Sequence, residues 1–147
     1  RFEELGYWIK LEDKEDSEIY FKESNWIARM FDLFASDILK EVGVFNCKTN
    51  KKGLVRDHIL SRFHGFTHGV FPEILRHPAN CQLITHSANV KKKSKRYVDR
   101  SDLTLEELFD RIYSYTGEWH EHDVAIERIE QYKNGNRWIN THKGGIL

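Results

Sequence analysis

Two cysteines, two prolines and a single methionine occur in 147 residues. No apolar run approaches the roughly 20 residues a membrane-spanning helix requires, so no membrane partner is expected. Cys47 and Cys81 do not form a C-x-x-C pair. That argues against a structural zinc knuckle and leaves two reduced, partly buried thiols of a cytoplasmic protein as the reading. No stretch has the layout of a secretory signal. The chain opens on Arg1 instead of Met, as a trimmed start or a piece of a longer protein would. There is no internal repeat and no low-complexity segment.

Acidic residues are scarce in the middle of the chain. Residues 47–100 hold 12 Lys+Arg against 3 Asp+Glu, a net +9, while 1–46 sum to −5 and 101–147 to −4. The formal net charge of zero therefore conceals a basic centre between acidic ends, an electrostatic footprint for a polyanion such as DNA. A solvated basic helix would account for Lys91 to Arg96 alone, but not for the acid-poor segment around it. The hydrophobic content of 39% and aromatic content of 13%, with four Trp and nine Phe, exclude a disordered chain. The length suits one domain.

The pattern along the chain is that of an α+β protein. Residues 5–11 and 18–22 are short, aromatic and β-branched, and read as a hairpin across the charged tract EDKED. Residues 25–41 carry Trp26, Ile27, Met30, Phe31, Phe34, Ile38 and Leu39 at spacings of three and four. That predicts an amphipathic helix, capped by Ser24 or Asn25 and ended at Gly43, which supports the core and touches no substrate. Residues 46–53 read as a basic turn and 54–60 as a strand. The stretch from Ser61 to Phe71, with Gly65 and Gly69, reads as an ordered Ω-like loop. Pro72 opens a short helix, PEILR, and His77-Pro78 closes it. A second strand covers 80–85, and Ser87 caps a helix through the lysine run. Thr104 and Glu107 form a capping box for a helix over 104–115. A last helix spans 120–133 on Val124, Ile126, Ile129 and Tyr132 and stops at Gly135.

Within the basic centre, an acid, a base and two amides follow this strand–loop–strand–helix order: Asp57-His58, Asn80 and Asn89. Val55-Arg56-Asp57-His58-Ile59, Asn80-Cys81-Gln82-Leu83-Ile84 and Asn89-Val90-Lys91-Lys92 together resemble the HNH nucleases, the ββα-metal (His-Me finger) family, over about residues 54–93. Any one of the three parts alone would be weak; all three, in order, make the pattern specific. The resemblance implies that Asp57 and Asn89 ligate a metal ion, that His58 is the general base, and that the Asn80 amide braces the loop between the strands and helps orient the base. Zinc-stabilised members of the family carry cysteine pairs near these motifs. Thr85 and Ala88 stand where one pair would fall, so a zinc-free variant with no structural zinc is expected.

The chemistry is coherent with those residues. An imidazole with an ordinary pKa of about 6.5 can take a proton from water near neutral pH. One divalent cation can neutralise both the phosphate and the departing 3′ oxygen. Asp57 is the only carboxylate near the motif in sequence, with Glu73 and Asp99 remote. That favours one metal ion, and oxygen donors suit Mg²⁺ or Mn²⁺. Arg56, Arg62, Lys91, Lys92, Lys93, Lys95 and Arg96 would contact phosphates. His64, His68, His77 and His86 read individually as structural, though His68 or His86 could reach a phosphate. The pair His120 and His122 reads as surface. Adjacent strand residues face opposite sides, so Asp57 and His58 can serve one site only if the strand ends or bulges at 57–59, or if the phosphate lies between them over the strand end.

The expectation is thus a single domain over 1–147. Its parts are a supporting segment 1–50, a ββα-metal core 54–97 and C-terminal helices 101–135. The activity expected is metal-dependent DNA cleavage leaving 5′-phosphate and 3′-hydroxyl ends, of phage or mobile-element homing or nicking type, in the cytoplasm of a bacterial or phage-infected host. A restriction enzyme or a nuclease toxin would read alike. One site per chain cuts one strand at a time, so double-strand cutting would call for a homodimer or two successive events. A non-catalytic nucleic-acid-binding module and an RNase are the competing readings.

Overall fold

A computed structural model describes residues 14–26, 37–94 and 101–138. The described chain mixes helices with one two-stranded antiparallel sheet, an α+β arrangement. In order these are α1 (Lys14–Glu23), α2 (Asp37–Val42), β1 (Leu54–His58), α3 (Arg62–His68), α4 (Pro72–Leu75), a 3₁₀ turn (Pro78–Asn80), β2 (Cys81–Thr85), α5 (His86–Ser94), α6 (Leu105–Tyr113) and α7 (His122–Lys133). β1 and β2 pair in unbroken register, from Leu54 opposite Thr85 to His58 opposite Cys81. Among the described residues no helix is long and apolar enough to cross a membrane.

The main core is built by helices and by the segments flanking α3. Tyr20 of α1, Leu60, Val70 and Phe71, Ile74 and Leu75 of α4, Leu108 and Ile112 of α6, and Ile129 of α7 are almost fully buried in one cluster. A smaller cluster, Leu39 with Leu54, backs the start of β1. The capping box forms as expected: Thr104 Oγ1 accepts from Glu107 N at 3.1 Å, and Glu107 Oε1 accepts from Thr104 N at 2.8 Å. Leu105, Leu108, Phe109 and Ile112 turn inward from α6. On α7 the inward face carries Ala125 and Ile129, with Ile126 and Tyr132 partly buried, whereas Val124 is 39% exposed.

Several elements differ from expectation. Residues 18–22 are helical, not a strand, and residues 5–11 lie outside the described residues. Glu15 and Asp16 in the first turn and Lys22 in the last complement the dipole of α1. Its single fully buried aromatic, Tyr20, donates from its hydroxyl to the Val70 carbonyl at 2.6 Å. The expected helix over 25–41 is described only as α2. Gly43, at φ 79°, ends it, with its N–H on Leu39 O at 2.8 Å, while Ile38 is 60% exposed. Ser24 belongs to the closing turn of α1, its N–H bonded to Tyr20 O at 2.8 Å. The basic turn is held by Asn46 Oδ1, which accepts from Lys48 N and Thr49 N. Cys47 on that turn is exposed, not partly buried, while Cys81 is buried.

The largest correction is the expected loop at 61–71, which holds α3. Ser61 Oγ accepts from His64 N at 3.0 Å as the N-cap, and Gly69 at φ 67° closes the helix. Gly65 disguises this helix, because glycine weakens helices in isolation. Its role here is close approach: a Cβ would lie 2.3 Å from the Tyr20 hydroxyl. At α5, Thr85 and not Ser87 is the cap, its Oγ1 accepting from Ala88 N at 3.1 Å.

Candidate active site

β1 stops at His58 because its sequence turns sharply into α3, and one buried side chain holds that turn. Ile59 N–H makes the last bond toward β2, to Asn80 O at 2.9 Å. The Asn80 side chain is fully buried. Its Oδ1 accepts from Leu60 N at 2.7 Å, and its Nδ2 donates to Leu60 O at 3.1 Å and Leu75 O at 3.0 Å. Its amide is thus spent on the backbone of the inter-strand segment.

Asp57 and His58 make separate contacts, as neighbours on a regular strand must. Asp57 Oδ2 accepts from Gln82 Nε2 at 2.8 Å and pairs with Lys92 Nζ of α5 at 2.5 Å. His58 faces the Ser24–Trp26 segment. Its Nε2 lies 2.9 Å from Ser24 O, and its ring stacks on Trp26 at 3.9 Å and 17°. Arg56, two residues back, lies over the same indole at 5.1 Å. No bulge occurs at 57–59. The pairing is regular to His58, the strand ends there, and the sheet is a two-stranded ribbon. Arg56, Asp57 and His58 can therefore all border one cleft. It has a volume of about 300 Å³, and Ser61, Arg62, Trp26, Asn89 and Lys92 are also on its wall.

The carbonyl of Ser24 fixes the His58 tautomer: Nε2 carries the proton and donates it, leaving Nδ1 as the lone pair. Burial pushes the imidazole from 6.5 down to about 3. The Ser24 bond opposes that shift, and Arg62, Arg56 and Lys92 add to it. The ring is therefore neutral at pH 7.

The other expected site residues distribute as follows. Asn89 is half-buried and borders the cleft. Arg62 donates to Phe21 O at 3.1 Å and lies over the Phe21 ring, and burial lowers its pKa. Lys91 is exposed on α5. Lys92 is enclosed: besides Asp57, its ammonium reaches Asp102 Oδ2 at 2.9 Å and His58 O at 3.2 Å. Lys93 lies on α5; Lys95 and Arg96 lie outside the described residues.

Sequence reasoning missed three participants. Trp26 read as helix core but stacks on His58. Gln82 bridges Asp57 and Asp102, at 2.8 and 3.2 Å. Asp102 adds a second carboxylate that lies beyond the basic segment in sequence, so an acid count within 47–100 could not include it. Only the fold brings Asp102 in, through Asp102 N–H to Ile59 O at 2.8 Å and Ser61 N–H to Ser101 Oγ at 2.9 Å.

Among the described residues no group of three or more His, Cys, Asp or Glu side chains is placed to hold a metal ion. Donors of the hard-oxygen kind do converge: Asp57, Asp102 and the His58 carbonyl surround one positively charged atom, Lys92 Nζ. That set fits Mg²⁺ or Mn²⁺ by donor type.

The remaining histidines have local partners. His64 and His68 stack at 4.0 Å on α3, and His86 stacks on Phe45 at 4.0 Å. His77 is fully buried. Its Nδ1 accepts from Ala79 N at 3.0 Å, so its Nε2–H donates to His122 Nδ1 at 3.0 Å. His122 is thus a half-buried partner of the turn that carries Asn80, not a surface residue as expected. No family model matches the chain, and neither a curated protein nor a solved structure matches it.

Proposed function

We propose that this protein is a divalent-metal-dependent DNA endonuclease of the HNH type, with β1, β2 and α5 as its ββα-metal unit. The observation that carries the reading is the cleft itself. Asp57 and His58 from β1 and Asn89 from α5 border one space of about 300 Å³, and the fourth motif residue, Asn80, ties down the turn at which β1 ends.

His58 Nδ1 is the base for the attacking water. Its neutral ring at pH 7 is in the proton-accepting form, and an anionic phosphate entering the cleft raises its basicity. Trp26 and Ser24 O hold the ring's plane and tautomer. Arg56 and Arg62 orient the phosphate from the cleft wall. Asp57 and Asn89 would hold one Mg²⁺ or Mn²⁺, which supplies charge neutralisation at the phosphate and the leaving oxygen. A homing or nicking role on phage or mobile-element DNA, in a bacterial cytoplasm, follows by analogy with the family alone. Double-strand cutting would then use a homodimer or two successive events.

The Lys92–Asp57 ion pair favours a second reading: a nucleic-acid-binding module whose acid is neutralised by its own lysine. An RNase on the same fold is the third. Supercoiled plasmid and labelled RNA, each incubated with Mg²⁺, Mn²⁺ or chelator, separate them. The expected outcome is metal-dependent nicking of plasmid, reduced at least ~100-fold in His58→Ala. Cleavage of neither polymer selects the binding module, cleavage of RNA alone selects the RNase, and full activity in His58→Ala rejects the base.

A further inference from the structure

Lys92 is in an unusual position for a residue of a basic helix. It lies three residues after Asn89 on α5, on the same face, so both side chains reach the cleft. Its ammonium contacts Asp57 Oδ2 at 2.5 Å, Asp102 Oδ2 at 2.9 Å and His58 O at 3.2 Å. Gln82 Nε2 spans the two carboxylates from the other side. The Lys92 and Asp57 side chains are only 16% and 10% exposed. Two carboxylates this close repel each other unless a cation sits between them.

We propose that Asp57, Asp102 and the His58 carbonyl form a cation cradle whose resident cation is the Lys92 ammonium, and that Lys92 leaves it when a divalent cation is taken up. Asp102 is then a second carboxylate ligand, and Lys92 is an internal competitor that sets how much metal the site needs. The displaced ammonium stays within a side chain's length of the cleft, where a phosphate can receive it. This rests on the nuclease reading for the identity of the metal. The cradle itself is defined by the contacts of Lys92.

Binding can be measured without nucleic acid. Mn²⁺ titration by calorimetry or electron paramagnetic resonance is expected to show at least tenfold tighter binding in Lys92→Met and at least fivefold weaker binding in Asp102→Asn. The melting temperature of Lys92→Met is expected to fall in chelator and to rise more on adding Mn²⁺ than that of the parent protein. Should Lys92→Met fail to fold, Mg²⁺ titration of the parent protein followed by the NMR signal of the Lys92 ammonium gives the same answer, with a saturating shift expected. Unchanged or weaker Mn²⁺ binding in Lys92→Met, or a Lys92 signal indifferent to Mg²⁺, overturns the proposal. Plasmid cleavage is scored separately. Tighter binding in Lys92→Met without cleavage by any variant keeps the cradle and removes the nuclease reading. Metal-dependent cleavage with unchanged binding does the reverse.

Discussion

His58 and His77 are both imidazoles that the fold keeps neutral. Burial is the main cause in each, taking His58 to about 3 and, with His122 beside it, His77 to about 4. Unfolded, both titrate near 6.5. Between those values the unfolded chain binds more protons than the folded one, so the stability they contribute is full above about pH 6.5 and is lost as pH falls toward 4 and 3. The melting temperature is therefore expected to drop steadily from pH 7 to pH 4. His77→Gln should flatten part of that slope, as thermal unfolding followed by circular dichroism across the range would record. Equal slopes in both proteins would assign the acid lability to other groups. Trp26 carries a further lesson at this scale. A tryptophan at a helical spacing reads as core, and it is buried, yet what it is buried against is the candidate base.

Among the elements, the segment joining β1 to β2 decides the geometry of the site. It holds α3, α4 and the 3₁₀ turn, and the Asn80 side chain ties Leu60, just ahead of α3, to Leu75 of α4. Replacing Asn80 with alanine strands a buried N–H and two carbonyls. That is expected to cost on the order of 3 kcal/mol in urea unfolding and to lower cleavage even where the protein still folds. A loss under about 1 kcal/mol would mean that the turn does not depend on the amide. The short helix at Pro72 was legible because proline acts through local sterics, whereas β1, read to residue 60, ends at His58. α3 was not legible, because Gly65 is placed there for Tyr20, a partner 45 residues away, and so weakens the local signal in favour of packing. α1 was misread for a related reason: aromatic residues favour strands on average, but a single buried face suits a helix equally well.

For the whole molecule, the controlling quantity is the distribution of charge. The central segment is strongly basic and both ends are acidic, so under the proposed function DNA is expected to meet the protein at the cleft, with an affinity that falls steeply with salt. Arg56→Ala and Arg62→Ala are each expected to reduce the slope of log affinity against log salt by roughly one, measured by fluorescence anisotropy on a duplex. Lys92→Met should leave that slope nearly unchanged in chelator, since its charge is neutralised within the protein. A fall of one unit in Lys92→Met would mean that it contacts phosphate directly. The acidic C-terminal part is more than a support, because its first residues carry Asp102 to the end of β1.

The sequence by itself determined the chain's α+β character and two strands, read at 54–60 and 80–85 and found at 54–58 and 81–85, and it singled out Asp57, His58, Asn80 and Asn89 as the proposed site. Each of these depends on spacing, side-chain chemistry or local capping, which a linear reading contains. Only the tertiary structure decided which groups surround those four. Trp26 and Ser24 at His58, and Asp102 and Gln82 at Lys92, arrive from segments whose approach depends on burying Tyr20, Leu60 and Ile112 together. The motif of the basic centre is therefore an acid, a base and two amides in sequence. In space it is an acid whose charge is held by a lysine and a base whose proton is fixed by a distant carbonyl.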